Sequence, residues 1–146
     1  MGRFYTIDSA NARLPEVRAI LERLRQQRAE LIALRDELAA RQGEARPGTS
    51  VPGKSGGAHR RAKAASEAQA LRLRMRGIID QMEAAVQQLV DWDIALRDIE
   101  SGLIDFPALA NGRQIWLCWR LGEDEITWWH ELEAGFAGRR PLIDLT

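Results

Sequence analysis

The spacing of apolar residues changes near Asp93, and the change divides the chain into a helical part and a strand-forming part. Before Asp93, apolar residues recur every three or four positions, which is the period of one helix face. After it, apolar and polar residues alternate with a two-residue period, as they do along a half-buried strand. The pattern therefore predicts an α+β fold in which the helices precede the sheet.

Two long helices are predicted before Asp93, packed antiparallel as a hairpin. The first runs from about residue 14 to 42, with Pro15 in its first turn, and the second from about residue 62 to 92. Between them, about residues 43–61 are rich in Gly, Pro, Ser and Thr, which predicts a flexible loop. The apolar stripes of the two helices are Leu14, Val17, Leu21, Leu24, Leu31 and Leu38, then Met75, Ile78, Met82, Ala85, Leu89 and Trp92.

The last part of the chain, about residues 93–146, predicts a small antiparallel sheet of three or four strands and a C-terminal loop. Its first clear turn is Asn111-Gly112, a tight-turn dipeptide. If that turn sets the strand register, Asp105 lies beside Cys118 on one face of the sheet.

A second hairpin is predicted around a two-residue turn at Gly122-Glu123. This register places Trp116 opposite Trp129 on one face, which is expected to be partly exposed. The other face carries Ile115, Leu117 and Trp119, together with His130, and is expected to pack on the helices. His130 would then lie on the opposite face from Asp105 and Cys118.

Length and composition limit the class of protein. At 146 residues and 16.5 kDa the chain is expected to form one domain, residues 1–146. No run of eighteen apolar residues occurs, so no membrane span is expected. The N-terminal residues 1–4 lack the apolar stretch of a secretory signal, and Cys118 is the single cysteine. These features predict a reducing, cytoplasmic location.

Charge is balanced over the chain but separated along it. Residues 1–77 hold sixteen Lys and Arg against eight Asp and Glu, whereas residues 78–146 hold five against thirteen. Opposed halves of this kind favour attraction within the chain or between two copies. The densest basic stretch, Arg60–Arg76, leaves nucleic-acid binding as a third alternative, although no recognition motif accompanies it.

Five segments of the sequence form a distinctive set: FYTIDSAN (4–11), LPEVR (14–18), GLIDFPA (102–108), IWLCWRLGE (115–123) and WHELEAGFAGRRPL (129–142). Through these segments the sequence resembles a prokaryotic family of uncharacterised proteins, domain-of-unknown-function family 2203, over essentially its whole length. At the junction of helix and strand, Trp92-Asp93 replaces the glycine that is common there. The resemblance supports the predicted boundaries and implies no activity, since the family carries none that can be transferred.

No catalytic signature is present, and neither a metal nor another cofactor is expected. A metal site formed by Asp105, Cys118 and His130 meets the objection that the predicted register puts His130 on the other face. Cys118 is expected to be a packed thiol, because no second histidine lies nearby to activate it.

The C-terminal loop is the better candidate for ligand binding. Two glycines three residues apart let backbone N–H groups turn inward, and two arginines beside them can hold a carboxylate or phosphate. The alternative is a structural loop whose Phe136 fills the core. The candidate ligand-binding residues are Asp105, Arg120, Glu131, Gly135, Gly138, Arg139 and Arg140.

Two functions are the leading hypotheses. The first is a non-enzymatic module that self-associates, as a homo-oligomer or with another protein, through its apolar stripe and the surface of Trp116 and Trp129. The alternative is a protein that binds a small anion or metabolite, or a weak enzyme, using the C-terminal Gly and Arg residues. No general base accompanies those arginines, so binding is expected before turnover.

Overall fold

A computed structural model describes residues 2–45 and 56–145, which form two long α-helices followed by a five-stranded sheet. The predicted α+β fold with a helical hairpin is confirmed. Neither helix of the described ranges is long and apolar enough to cross a membrane. The elements are α1 (Ile7–Ala45), α2 (Gly57–Asp91), β1 (Ala95–Asp98), β2 (Leu103–Ala110), β3 (Arg113–Arg120), β4 (Trp128–His130) and β5 (Arg140–Pro141), with short 3-10 helices at Phe136–Gly138 and Leu142–Asp144.

The sheet is an antiparallel meander in which each strand pairs with the next, in the order β1-β2-β3-β4-β5. It has five strands, whereas the sequence predicts three or four. The extra strand, β5, is only two residues long and contains Pro141, so it has no alternating pattern to read. Its place is fixed by tertiary contacts, including the Trp129 Nε1–H that donates to the Pro141 carbonyl at 3.1 Å.

Helix α1 begins at Ile7 and not near Leu14, because Thr6 caps it. The Ser9 N–H donates to Thr6 Oγ1 at 3.0 Å, and the Thr6 N–H donates to Ser9 Oγ at 2.9 Å. This reciprocal pair satisfies amides that the first helical turn leaves without partners. Pro15 consequently lies inside the helix and not in its first turn.

The helices also extend into the predicted loop. Helix α1 continues to Ala45 and α2 begins at Gly57, so residues 43–45 and 57–61 are helical. The remainder of the predicted loop, residues 46–55, lies outside the described residues.

Helix α2 ends in a left-handed cap at Asp93, where the predicted change to strand occurs. Asp93 has φ 60°, its N–H donates to the Val90 carbonyl, and the Ile94 N–H donates to the Leu89 carbonyl at 2.9 Å. These are the two hydrogen bonds of a Schellman cap, whose left-handed residue is usually glycine. The Asp93 carboxylate accepts the Arg3 N–H at 2.9 Å, which gives the aspartate a second role.

The chain divides into two compact units. One comprises Met1–Gln26 and Glu83–Thr146 and contains the whole sheet, and the other is Gln27–Met82, which includes parts of α1 and α2. Within this second unit, the Gln27 amide donates to Gln81 Oε1 at 3.0 Å.

One face of the sheet forms the core of its unit. The Tyr5 ring meets Phe106 edge-on at 5.0 Å, and the Ile126 N–H donates to Asn11 Oδ1 at 2.8 Å. The prediction that Ile115, Leu117 and Trp119 share the buried face is confirmed. The fully buried side chains of this face are Ile104, Phe106, Ile115, Leu117, Trp119 and Trp129.

Candidate metal centre

The register of β2 and β3 places Asp105 directly opposite Cys118. The predicted turn connects the two strands, with Asn111 at φ 52°, Gly112 at φ 78° and Ala110 paired with Arg113. Two consecutive positive φ angles identify a type I′ turn, whose twist matches that of the strands. The prediction from Asn111-Gly112 is therefore confirmed, and Asp105 and Cys118 share one face of the sheet.

The register of β3 and β4 differs from the prediction by one residue. Trp116 pairs with His130 and Leu117 with Trp129, so the predicted pairing of Trp116 with Trp129 is wrong. The connection is not a two-residue turn, because β3 ends at Arg120 and β4 begins at Trp128, so residues 121–127 connect the strands. A slip of one residue moves every side chain of a strand to the other face. His130 therefore lies on the face of Asp105 and Cys118, and the objection to a metal site does not hold.

Asp105, Cys118 and His130 form a buried polar cluster on this face. Each is at most 2% exposed, and one potential ligand atom from each lies within 4.8 Å of the others. Around a tetrahedral Zn²⁺ with bonds of about 2.0–2.3 Å, ligand atoms lie about 3.3–3.8 Å apart. Side-chain shifts of about 1 Å would thus bring all three groups to one ion.

The hydrogen bonds of His130 leave one ring nitrogen facing a carboxylate. Nδ1 lies 2.8 Å from the Glu131 carbonyl, which can only accept, so Nδ1 carries a hydrogen. In the neutral ring Nε2 is then an acceptor, and it lies 3.0 Å from Asp105 Oδ1. Two acceptors at this distance require a proton or a cation to join them. Histidines that bind metals commonly hold their other nitrogen on a carbonyl in this way.

Arg97 supports the carboxylate from its other oxygen. Its Nε donates to Asp105 Oδ2 at 2.9 Å, which orients Oδ1 toward His130. Ala95 of β1 pairs with Asp105, and residues two apart on a strand share a face, so Arg97 lies on the face of the cluster. The pairing with β2 skips from Leu96 to Asp98, so Arg97 stands opposite no residue of β2.

Cys118 is not a free nucleophile. Burial raises the pKa of its thiol to about 12, and the Asp105 carboxylate adds to this rise, while Arg139 opposes it. The thiol is therefore protonated at neutral pH. Both ring nitrogens of His130 already face other oxygens, so neither acts as the base of a Cys–His pair. A metal ion is the group that would displace the thiol proton.

A pocket of about 330 Å³ opens over the cluster. All three cluster residues line it, and so do two charged residues, Arg97 and Glu133. The remaining lining residues are apolar and come from β2 and from the C-terminal segment, residues 131–145. An ion held at its floor would keep one side open to the pocket, which is the arrangement of catalytic zinc sites and not of closed structural ones. The apolar lining residues are Leu103, Leu132, Gly135 and Phe136.

Three of the predicted ligand-binding residues lie at or beside this pocket. Asp105 is on its floor and Gly135 on its wall. Arg139 lies next to it, where its Nη2 donates to Glu123 Oε1 at 2.6 Å and to the Cys118 carbonyl at 3.4 Å. The C-terminal segment therefore covers the cluster, although Arg139 is already paired.

The other predicted ligand-binding residues have different neighbours. Glu131 forms an ion pair with Arg113, and Arg140 lies over the ring of Trp129 at 5.4 Å. Arg120 lies over the Phe136 ring at 5.3 Å. A Cβ at Gly138 would stand 2.5 Å from the Ala134 Cβ, so this glycine permits close packing within the segment.

Trp116 and Trp129 lie on opposite faces of the sheet and do not form one surface. Trp129 is in the core, whereas Trp116 is half-buried on the pocket face, with the Arg97 guanidinium 4.9 Å from its ring. Trp129, one of the two residues of the predicted interaction surface, is thus covered by the chain itself.

A family model described as "Uncharacterized conserved protein (DUF2203)" matches residues 3–142. The match covers nearly the whole chain and confirms the resemblance drawn from the sequence segments. No curated protein and no solved structure matches the chain significantly.

Proposed function

We propose that this chain, which belongs to the DUF2203 family, binds one divalent transition-metal ion through Asp105, Cys118 and His130. The observation that carries the proposal is the convergence of a carboxylate, a thiol and an imidazole within 4.8 Å on a buried sheet face. Polar groups are costly to bury, and one cation bound by all three would offset that cost for each of them.

The ligand set selects the class of ion. A thiolate and an imidazole suit Zn²⁺ and its first-row neighbours, whereas Mg²⁺, Ca²⁺ and Mn²⁺ prefer sites made only of oxygen. Zn²⁺ accepts sulfur, nitrogen and oxygen ligands in a tetrahedral site. We therefore name Zn²⁺ as the probe ion. A thiolate ligand also needs a reduced cysteine, which fits the cytoplasmic location expected from the sequence.

A shared proton is the alternative partner for the cluster. It would join His130 Nε2 to Asp105 Oδ1 as an imidazolium–carboxylate pair, and it would leave Cys118 as a buried thiol beside Asp105. A metal ion accounts for more of the site, because it would also bind the Cys118 thiolate and would give a role to the pocket that opens over all three residues. An open coordination position there can hold water or polarise a bound carbonyl.

Metal content tests the proposal. Protein freed of metal with a chelator and then dialysed against Zn²⁺ should retain one ion per chain by elemental analysis and by native mass spectrometry. Cys118→Ser and His130→Gln should lose it, because each removes a ligand. His59→Gln is the matched control, since His59 is exposed on α2. Equal zinc in wild type and His130→Gln, or loss in His59→Gln alone, would contradict the proposal.

Self-association is a second proposal, carried by apolar side chains that the chain leaves uncovered. Leu73 and Val90 of α2 are both more than half exposed. If the oppositely charged halves of the chain hold a dimer together, the dimer should dissociate as salt is raised toward 1 M. Sedimentation velocity at low and high salt measures this, and a monomer at every concentration would contradict it.

A further inference from the structure

We infer that the pocket binds a small carboxylate with a short hydrocarbon chain, one oxygen of which completes the coordination of the metal ion. The inference rests on the proposed metal site and names the class of ligand for its open side. It also moves the anion site predicted from the sequence away from the paired arginines of the C-terminal segment to Arg97.

The charges at the pocket floor favour an anion. A divalent ion is neutralised by the Asp105 carboxylate and the Cys118 thiolate, and His130 binds as a neutral ring. Arg97 then adds one positive charge that nothing at the floor balances, because Asp105 is already counted against the metal. Arg139 is balanced by Glu123, whose Oε1 lies 2.6 Å from its Nη2.

Glu133 does not supply the missing charge. Solvent partly screens both Glu133 and Arg97, but Arg97 is held against the floor by its hydrogen bond of 2.9 Å to the buried Asp105, whereas Glu133 is exposed. The floor, by contrast, is formed by three side chains that are almost completely buried. Charge interactions there are stronger than at the rim, so the unbalanced charge at the floor selects an anionic ligand.

The position of Arg97 suits a second carboxylate oxygen. Its Nε is used by Asp105, but a guanidinium has five N–H donors in one plane, and the side chain is 43% exposed at the pocket. One carboxylate oxygen can thus bind the ion while the other accepts from Arg97. A neutral amide would use only part of this arrangement, because its NH₂ group cannot accept a hydrogen bond from Arg97.

The walls of the pocket select the group attached to the carboxylate. Leu103, Leu132 and Phe136 line it, and Leu132 and Phe136 are exposed apolar side chains. A short hydrocarbon chain would cover them. The volume of about 330 Å³ lies at the small end of ligand pockets, so the ligand is small. Butyrate is a suitable probe.

Titration of the Co²⁺-loaded protein with butyrate tests the inference. Cobalt reports on its own ligands through visible bands and a thiolate charge-transfer band. Butyrate should change the visible bands and saturate at one per chain, and acetate should bind more weakly. Arg97→Gln at saturating Co²⁺ should weaken butyrate binding by at least about tenfold, since it removes a charge-assisted contact. Arg140→Gln should bind butyrate as wild type does.

Two failures are distinguishable. Absence of the thiolate charge-transfer band would overturn the proposed metal site. A normal cobalt spectrum that butyrate does not change would overturn the carboxylate while the metal site stands. Equal binding of butyramide, the neutral counterpart, would show that charge is not recognised. A loss in Arg140→Gln as large as in Arg97→Gln would return the anion to the C-terminal segment.

Discussion

Replacing Asp105 by Asn should leave the metal-free protein close to wild type in stability and remove most of its metal affinity. An amide has nearly the same shape as a carboxylate. Its oxygen can accept from Arg97 Nε, which now lies 2.9 Å from Oδ2. Its NH₂ can donate to His130 Nε2, which faces Oδ1 at 3.0 Å. In metal-free wild type with a neutral ring, Asp105 Oδ1 and His130 Nε2 are both acceptors. The variant replaces Oδ1 by an NH₂ donor, so this contact becomes a hydrogen bond.

The expected change in the metal-free protein is small because its parts oppose each other. Asp105→Asn would keep the hydrogen bond from Arg97 but lose the carboxylate charge, which costs about 1 kcal/mol, the difference between a charge-assisted and a neutral hydrogen bond. The new hydrogen bond to His130 returns about 0.5–1.5 kcal/mol. The free energy of unfolding should therefore change by about 1 kcal/mol or less, which is a shift in Tm of about 2–4 °C or less for a chain of this size.

The effect of metal is larger and of one sign. At a free Zn²⁺ concentration about 100 times the wild-type Kd, wild type gains about 2.7 kcal/mol of stability. Loss of one ligand should weaken binding by at least about a hundredfold, which leaves the variant a gain of about 0.4 kcal/mol. The addition of Zn²⁺ should thus raise the Tm of wild type by several degrees and that of Asp105→Asn by about one degree.

Thermal unfolding by circular dichroism, with chelator and with Zn²⁺, measures both effects. Asp80→Asn is the control, because Asp80 is an exposed aspartate of α2. A loss of about 3–5 kcal/mol in Asp105→Asn with chelator present would refute the reasoning, since that is the cost of breaking a buried imidazolium–carboxylate pair. A full response of Asp105→Asn to Zn²⁺ would refute it as well.

Three further predictions concern the structure around the site. Asp93→Gly should be more stable than Asp93→Ala by about 1 kcal/mol in urea unfolding, because only glycine adopts the left-handed cap without strain; equal stability would contradict the cap. Gly102→Ala should lose about 2–4 kcal/mol in the same assay, since Gly102 has φ +68° and a Cβ there would lie 2.5 Å from the Leu121 Cβ. Gly112→Ala is the control, because Gly112 also has a positive φ but open space around it, and it should lose only about 1 kcal/mol. Similar losses in the two variants would contradict the close approach of Gly102 to Leu121. Burial raises the pKa of Cys118 from 9.0 to about 12, so above about pH 9 the unfolded chain loses the thiol proton while the metal-free folded chain keeps it. The free energy of unfolding should therefore be unaffected by this thiol below about pH 9 and fall by up to about 1.4 kcal/mol per pH unit above it. Urea titrations of Cys118→Ala should lack this slope.

The sequence predicts those parts of the fold that depend on local signals. Apolar spacing locates both helices, and Asn111-Gly112 sets the β2–β3 register because a tight turn fixes its own strands. The β3–β4 register depends on residues 121–127, where the Ile126 N–H bonds Asn11, a residue far away in the chain. No local pattern encodes such a contact.

The candidate site shows the same limit. Asp105 and Cys118 are predicted neighbours, since a local turn brings them together. His130 joins them because the β3–β4 register differs by one residue from the predicted one. Arg97 joins them through the pairing of β1 with β2, which places Ala95 opposite Asp105. The sequence favours Arg139 and Arg140 as ligand-binding residues because they are adjacent to glycines. In the folded chain, Glu123 neutralises Arg139. Arg140 is exposed on the edge strand β5, where its guanidinium lies 5.4 Å from the Trp129 ring.

The most direct test of the metal centre is anomalous diffraction at the zinc edge from crystals of the Zn²⁺-loaded protein. We expect one strong peak per chain among Asp105, Cys118 and His130. It should lie about 2.3 Å from Sγ, about 2.0–2.1 Å from Nε2 and about 2.0–2.2 Å from a carboxylate oxygen. Peaks only at exposed groups such as His59, with the cluster empty and Nε2 still on Oδ1, would contradict the proposed function.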